Sequence, residues 1–514
     1  MKKILFLTLN TTSNRTPEEN LGIYYLQEAL YKQGIQSEYI DCWLEGKDHL
    51  QLADEINDKE YLFVGISGCL SNVEEIRKLA PHLTNHHIVC GGYGATFGYK
   101  DLLKAGIEIV ILGEGDKTII DLADYYMGNM DLRNVENIAY LSSCEDQGNE
   151  IILQHGKEII NLDELPLLKS RKYLDYIKSR KASINILGSK GCMGNCNFCS
   201  INQFYSFSHR KWRGRCSDAI VEEMLFLYKQ GIRVFKFVDD SFIENERDTI
   251  WCQRFAEKIK ESGMDDILFR ISIRANKVSM RIIDILSSVG LFAVSCGIEN
   301  FSDSMLERIG KRTNSVINQC ALDIFKQKGI YVQAGFILFD DLTTMSELRT
   351  NLIYLKKNMW IVMKGIFSEI FAAEGTAYSN YLLKSGKITG KKYGNYTYSI
   401  SDSKASIVYS YLKRWHLLQE EFYDKLIDPI SAPKALTPLQ YKMFFELYLQ
   451  VHQNDVAFFE QVLDCVETGD SMLKCDQMIL LRKESLNKDF DKVNHLYDLV
   501  GLEYSAKYNI FWRK

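Results

Sequence analysis

Proline is scarce in this sequence. Only six prolines occur in 514 residues, and none lies between residues 167 and 428. Proline interrupts helices and central strands, so a proline-free stretch of this length predicts regular elements joined by glycine-bearing loops. At about 150 residues per domain, the length predicts two to four domains.

A large excess of charge is also missing. The 62 Lys and Arg residues nearly balance the 67 Asp and Glu residues, and the net charge of −5 gives no general attraction to nucleic acid or anionic lipid. No apolar run approaches the roughly 18 residues of a spanning helix, and the apolar stretch in MKKILFLTLNTTSN is too short for a signal peptide. We therefore expect a cytoplasmic protein with no nucleic-acid or membrane partner.

Cysteine, in contrast, is well represented. The chain has 13 cysteines, an odd number that does not suit a framework of disulfides. Without a secretory signal, they are expected to be free thiols or metal ligands in a reducing compartment.

The first 145 residues alternate short apolar runs with helical patterns. The runs KILFLTL, YLFVGIS, HHIVCGG and IEIVILG are predicted strands. Such alternation favours a doubly wound, Rossmann-like parallel sheet in an α/β fold. No G-x-G-x-x-G follows the first strand, so a dinucleotide site of the common kind is not predicted.

A second alternation begins after a polar stretch. Residues 146–180 are predicted to form a linker, and residues 181–390 contain six strand and helix units, which suit a partial (β/α)6 barrel. Residues 391–514 are predicted to form a C-terminal α-helical domain. Within it, Thr437 followed by Pro438 marks a helix start.

The most specific motif is GSKGCMGNCNFCS, which places Cys192, Cys196 and Cys199 in a C-x3-C-x2-C array after a predicted strand. Three thiolates in one short loop suit three irons of a [4Fe-4S] cluster and leave the fourth iron open for chemistry. The alternative is a zinc site completed by Cys216 or His209.

At these residues the sequence resembles the radical S-adenosylmethionine (SAM) superfamily, over about residues 183–378. The resemblance implies that the three cysteines hold the cluster and that SAM chelates the open iron and is cleaved to a 5′-deoxyadenosyl radical. It also implies SAM contacts from residues at the strand ends and in the cysteine loop. These are Phe198, Asp239, Asp240, Ser272, Arg274 and Glu299. The sequence departs from the family at Glu374, where proline is usual, and in the loop FDDLTT.

The glycine-bearing loops of the first domain resemble those of the B12-dependent radical SAM enzymes. The resemblance implies a cobalamin site at the carboxyl ends of the strands. Its expected residues are Ser67, Gly91, Gly92, Thr96, Glu114 and Gly115. No D-x-H-x-x-G motif is present, so no histidine of this domain is expected to bind cobalt, and a retained fold without the cofactor is the alternative.

The resemblance implies a cobalamin-dependent C-methyltransferase that acts on a small-molecule or peptide substrate and takes electrons from a donor such as flavodoxin or ferredoxin. A second hypothesis keeps the radical chemistry without methyl transfer, giving a cyclase or rearrangement enzyme. A third is a non-catalytic, metal-bearing interaction module.

Overall fold

The computed structural model describes residues 2–9, 19–69, 72–144, 148–156, 161–179, 182–206, 211–392, 394–431, 436–505 and 510–513. The chain starts with a seven-stranded sheet in the order β2-β1-β3-β4-β5-β6-β7. Its strands are β1 (Lys3–Thr8), β2 (Ser37–Asp41), β3 (Tyr61–Ser67), β4 (Ile88–Gly91), β5 (Ile109–Ile111), β6 (Ile138–Cys144) and β7 (Gly148–Gln154). The connecting helices are α1 (Leu21–Lys32), α2 (His49–Asn57), α3 (Val73–Leu79), α4 (Tyr93–Lys104) and α5 (Thr118–Tyr126).

The first five strands are parallel, and β6 and β7 add an antiparallel edge. In β1, five successive residues, Ile4 to Thr8, are buried, as expected for a parallel strand with helices on both faces. Strand β7 lies within residues 146–180, the predicted linker. It pairs with β6 along its whole length. The N-terminal sheet therefore extends past residue 145.

The second sheet is a five-stranded parallel array in the order β14-β13-β12-β11-β8. Short elements lead into it and connect the cysteine loop, namely α6 (Leu174–Ser179), β8 (Ile184–Ile186), β9 (Ser189–Gly191), α7 (Ile201–Phe204) and β10 (Trp212–Gly214). The remaining elements are α8 (Ser217–Lys229), β11 (Val234–Phe237), α9 (Thr249–Glu261), β12 (Leu268–Arg274), α10 (Met280–Ser287), β13 (Leu291–Glu299), α11 (Asp303–Arg308), α12 (Ser315–Gln327), β14 (Tyr331–Phe336) and α13 (Met345–Lys357). The predicted alternation of strands and helices is present across the five strands of this sheet.

The predicted sixth barrel strand is reduced to two isolated parallel bridges, Gln333 to Val362 and Phe339 to Glu369. Hydrogen bonds such as that from the Ile370 amide to the Phe339 carbonyl keep this segment beside the chain that follows β14. Only β15 (Ala372–Ala373) is a strand, and it pairs with β17 instead.

The C-terminal part is dominated by three long helices. They follow α14 (Ala377–Lys384), β16 (Ile388–Lys392) and β17 (Asn395–Tyr398), and are α15 (Ser403–Ser431), α16 (Pro438–Thr468) and α17 (Leu473–Val500), before a hairpin of β18 (Leu502–Ser505) and β19 (Ile510–Arg513). Thr437 caps α16 in a capping box with Gln440, which confirms the predicted helix start. None of the helices in the described ranges combines the length and apolarity needed to cross a bilayer.

Candidate active site

The cysteine loop follows β9 and is braced by the barrel around it. The Gly194 amide donates to Cys192 Sγ at 3.3 Å, and the Met193 amide donates to Glu244 Oε1 at 3.3 Å. The Cys199 amide closes the turn on the Cys196 carbonyl at 3.2 Å. These contacts hold the three thiols on one short loop at the carboxyl edge of the barrel sheet.

All three thiols are partly buried. Burial raises the pKa of Cys192 to about 11 and that of Cys199 to about 12, and the neighbouring cysteines act in the same direction. Without a metal the thiols are therefore protonated at neutral pH, and binding of a metal displaces their protons. Their effect on each other shows that the thiols lie near one another, and three neighbouring thiolates suit a cluster in which each binds its own iron.

The zinc alternative has little support in the geometry. Cys216 is exposed, and its sulfur accepts a hydrogen bond from the Ala219 amide at the start of α8. His209 lies outside the described residues.

Three predicted SAM residues lie beside this loop. Asp240 accepts from the Gly191 amide at 2.9 Å, and burial raises its pKa to about 6. Arg274 donates to Glu244 at 2.7 Å. Glu299, with a left-handed backbone at φ 61°, forms an ion pair with Lys311 at 2.7 Å.

The other three predicted SAM residues have different surroundings. Asp239 is 3% exposed, and its carboxylate already accepts from the Gly188 amide and the Ser189 hydroxyl and pairs with Arg247. Ser272 is half-buried on β12. Phe198 packs partly buried against an apolar cluster that includes Met305 and Tyr378. Contacts of all six residues with SAM remain a prediction.

A cavity of about 660 Å³ lies between the N-terminal sheet and the barrel. One wall is formed by the carboxyl ends of β1, β3, β4 and β5, and the other by residues of the barrel and the cysteine loop region. Five of the six predicted cobalamin residues line it, namely Ser67, Gly91, Gly92, Glu114 and Gly115. The barrel side contributes Asn185, Leu187, Lys190, Phe204, Tyr205 and Val238.

The sixth residue, Thr96, is not in the cavity wall and braces it. Its hydroxyl donates to the Gly92 carbonyl at 2.9 Å and accepts from the Gly113 amide at 2.9 Å. Thr96 thus ties together the two glycine loops that carry Gly92 and Glu114. Gly92 itself requires glycine, because its φ is +96° and a Cβ would lie 3.0 Å from the Gly68 carbonyl oxygen.

Sequence reasoning did not identify the contacts that join the two domains at this cavity. Glu114 accepts from Lys190 at 2.8 Å and from Arg213 at 2.5 Å. Burial alone raises the pKa of Glu114, but the charges of Lys190 and Arg213 outweigh it and hold the pKa below its usual value. The one local signal in the sequence is the short basic segment Lys211-Trp212-Arg213, which contains Arg213.

A second ion-pair network lies deeper in the same interface. Arg171 pairs with Glu19 at 2.6 Å and with Glu223 at 2.5 Å, and Arg215 pairs with Glu223 at 2.6 Å. All four side chains are at most 3% exposed. Their spacing of up to 152 residues along the chain leaves no local pattern from which to predict them.

The lining of the cavity is mainly apolar, with a few polar groups that a corrin could meet. Glu19 Oε2, Tyr25 Oη and Asn185 Oδ1 are buried polar atoms with no hydrogen-bond partner among the described residues, and all three residues line the cavity. The peripheral amides of cobalamin can donate to the oxygens of Glu19 and Asn185, which removes the cost of leaving them unpaired. The glycines on the opposite wall leave room for the macrocycle.

Comparison with known families agrees with this division of the chain. Residues 8–123 match the B12 binding domain, and residues 186–346 match the radical SAM superfamily. The fold and site therefore define a radical SAM enzyme with an N-terminal cobalamin-binding domain. The chain belongs to the B12-binding-domain-containing radical SAM family, whose cofactors are a [4Fe-4S] cluster, SAM and cobalamin.

Individual relatives are distant. An uncharacterized methyltransferase of Pyrococcus horikoshii is 26% identical over 348 residues, which is 66% of this chain and 73% of the relative. The anaerobic magnesium-protoporphyrin IX monomethyl ester cyclase of Rubrivivax gelatinosus is 28% identical, over 61% of this chain and 57% of the cyclase. The solved structure of the cobalamin-dependent SAM radical enzyme OxsB, with aqua-cobalamin and SAM bound, superposes with a TM-score of 0.76 at 16% identity, over 99% of this chain and 82% of OxsB. That likeness establishes the shared fold.

Proposed function

We propose that this protein is a cobalamin-dependent radical SAM C-methyltransferase. The observation that carries the proposal is the position of the cavity, which joins the cobalamin-type strand ends on one side to the barrel and its cysteine loop on the other. When bound, the cluster with SAM supplies a radical that abstracts hydrogen, and cobalamin supplies a methyl group. The similarity to the methyltransferase of Pyrococcus horikoshii supports the methyl transfer.

The chain's own residues then have defined tasks. Cys192, Cys196 and Cys199 hold the cluster at the barrel edge, and Lys190, which precedes that loop, ties it to Glu114 in the cobalamin domain. Because this ion pair links the two cofactor sites through two short loops, it fixes their separation. The buried interface around Arg171 excludes water from the cavity floor, where a substrate radical needs protection.

The reaction must balance across two SAM molecules. One is reduced by an external donor such as flavodoxin or ferredoxin, and it leaves as methionine and 5′-deoxyadenosine, which carries the abstracted substrate hydrogen. The second donates the methyl group that replaces this hydrogen and leaves as S-adenosylhomocysteine. SAM gives its methyl group as a cation equivalent, so a second electron from the same external donor is needed to join that group to the substrate radical. A small molecule or a peptide is the expected substrate.

The test uses the anaerobically reconstituted holoenzyme, a chemical reductant and SAM labelled with deuterium in its methyl group. A metabolite extract is the source of substrate. Methylation predicts a labelled product together with both 5′-deoxyadenosine and S-adenosylhomocysteine. Formation of 5′-deoxyadenosine with an unlabelled product rejects methyl transfer and favours the cyclase or rearrangement reaction, to which the similarity to the Rubrivivax gelatinosus cyclase points.

A further inference from the structure

Most charged side chains around the barrel interior have an ionic partner. Arg274 pairs with Glu244 at 2.7 Å, Lys311 with Glu299 at 2.7 Å, and Arg247 with Asp239 at 3.3 Å. These pairs balance the charges that folding removes from water. Any interior charge without such a partner calls for another explanation.

Arg270 is such a charge. It alternates along β12 with the buried residues Phe269 and Ile271, so its side chain points to the opposite face, into the barrel. Its Nη2 donates to Ser295 Oγ at 2.8 Å and to Gln333 Oε1 at 2.9 Å. Both acceptors are neutral, and among the described residues no carboxylate forms an ion pair with Arg270.

Arg270 lies far from the cysteine loop. On the same strand, Arg274 reaches that loop, since its Nη1 lies 3.7 Å from the position of a Cβ on Gly194. Arg270 precedes Arg274 by four residues, which at about 3.3 Å per residue places it roughly 13 Å deeper in the barrel. Ser272, a predicted SAM contact, lies between them. Arg270 therefore sits deeper in the barrel than the residues beside the cysteine loop.

The local geometry suits an oxyanion. Ser295 and Gln333 fix the plane of the guanidinium through one nitrogen, and its other N–H groups form a planar fork that matches a carboxylate or a phosphate. A half-buried, oriented guanidinium without an ionic partner is costly unless an anion completes it.

We propose that Arg270, oriented by Ser295 and Gln333, forms an anion subsite that binds a carboxylate or phosphate group of the substrate. The inference rests on the proposed function, because it names the class of molecule that the same barrel acts on. An anionic group held at this depth anchors the substrate and directs its remainder toward the cysteine loop.

The test measures anion binding directly, with the reconstituted holoenzyme in the presence of SAM. Inorganic phosphate and acetate are the two probes, titrated separately by calorimetry or, for phosphate, by 31P line broadening. The wild type is expected to bind one of them, and which one identifies the substrate group. Arg270→Gln is expected to weaken that binding by about tenfold or more, as for a lost charge-assisted hydrogen-bonded pair, and Arg270→Lys to weaken it less.

Arg281→Gln is the matched control, because Arg281 is an exposed arginine on α10. The Arg281→Gln variant should bind the anion as well as the wild type does. Gln333→Leu is a second variant, expected to weaken binding several-fold because the guanidinium loses one of its orienting acceptors. The proposal is overturned if the wild type binds neither probe, or if Arg270→Gln binds as well as the wild type. Cleavage of SAM by the wild type is measured in the same samples, so its failure contradicts the proposed function and leaves the anion result readable.

Discussion

The ammonium of Lys190 lies 2.8 Å from the carboxylate of Glu114, and this contact joins the strand that precedes the cysteine loop to the loop that ends β5. Lys190 also lies 3.4 Å from Asp116, and Arg213 approaches Glu114 from the other side. The segment that carries Lys190 and the loop that carries Glu114 lie on opposite walls of the cavity. The distance between the two cofactor sites thus depends on a small group of partly buried charges.

Removal of Glu114 should loosen this interface. Glu114→Gln removes the carboxylate that pairs with both Lys190 and Arg213. Loss of one partner of a buried pair costs about 3 kcal/mol or more, and we expect up to about that amount here because these side chains are partly exposed. We expect a lower free energy of unfolding in urea and weaker binding of hydroxocobalamin. Asp131→Asn is the control, because the Asp131 to Arg133 pair is exposed. Equal stability of the two variants would refute the structural role of Glu114.

The cysteine loop should be the sole anchor of the cluster. Cys192→Ala is expected to abolish the iron-sulfur absorption of the reconstituted protein and to reduce 5′-deoxyadenosine formation to the background level, because three thiolates are the minimum set for a site-differentiated cluster. Cys320→Ala, which removes an exposed thiol on α12, should retain both. Iron content and SAM cleavage provide the measurements, and a retained spectrum in Cys192→Ala would contradict the assignment.

The width of the cavity at Gly115 can be tested without disturbing the fold. The atoms nearest to a Cβ on Gly115 belong to Ile111, at 3.5 Å, and Leu26, at 3.8 Å, which are ordinary contacts with side chains that also line the cavity. Gly115→Leu should therefore fold and fill part of the space, weakening cobalamin binding by about tenfold, as expected for overpacking that costs 1–3 kcal/mol.

The control for that variant is Gly98→Ala, where the added Cβ meets Val73 at 3.6 Å and Gly98 does not line the cavity. Spectroscopic titration with hydroxocobalamin gives the affinities, and circular dichroism verifies folding. Unchanged affinity in a folded Gly115→Leu protein would place the cofactor elsewhere.

Stability should depend on pH through His452. This residue of α16 is fully buried, neither ring nitrogen has a hydrogen-bond partner among the described residues, and burial lowers its pKa to about 4. Between about pH 6.5 and pH 4 the unfolded chain binds a proton that the folded protein does not. Acidification through this window therefore lowers the free energy of unfolding by about 1.4 kcal/mol per pH unit from this group alone.

His452→Leu should remove this contribution, giving a shallower decline than in the wild type, whereas His82→Leu, at an exposed position, should leave the decline unchanged. Urea unfolding at a series of pH values between 4 and 7 provides the comparison. Parallel curves for the wild type and His452→Leu would show that burial does not lower the pKa of His452 in the folded protein.

The sequence by itself determined the class of this protein. The spacing of Cys192, Cys196 and Cys199 is a local property of 8 consecutive residues. The apolar runs that form β1, β3 and β12 to β14 are also local patterns of the sequence. The glycine loop at Gly92 is also visible as a local motif, although the contact with the Gly68 carbonyl that excludes a Cβ comes from another strand end. Patterns of this kind can be recognised without knowledge of the tertiary fold.

Only the tertiary structure decided which charges meet. Glu19 and Arg171, Glu114 and Lys190, and the neutral acceptors of Arg270 lie far apart in sequence and come together where two domains or three strands converge. The tertiary structure also decided the fate of the sixth barrel strand. Its apolar pattern predicts a strand, but in the structure this segment forms only isolated bridges. Burial and long-range electrostatics depend on packing, and packing cannot be predicted from any single stretch of the chain.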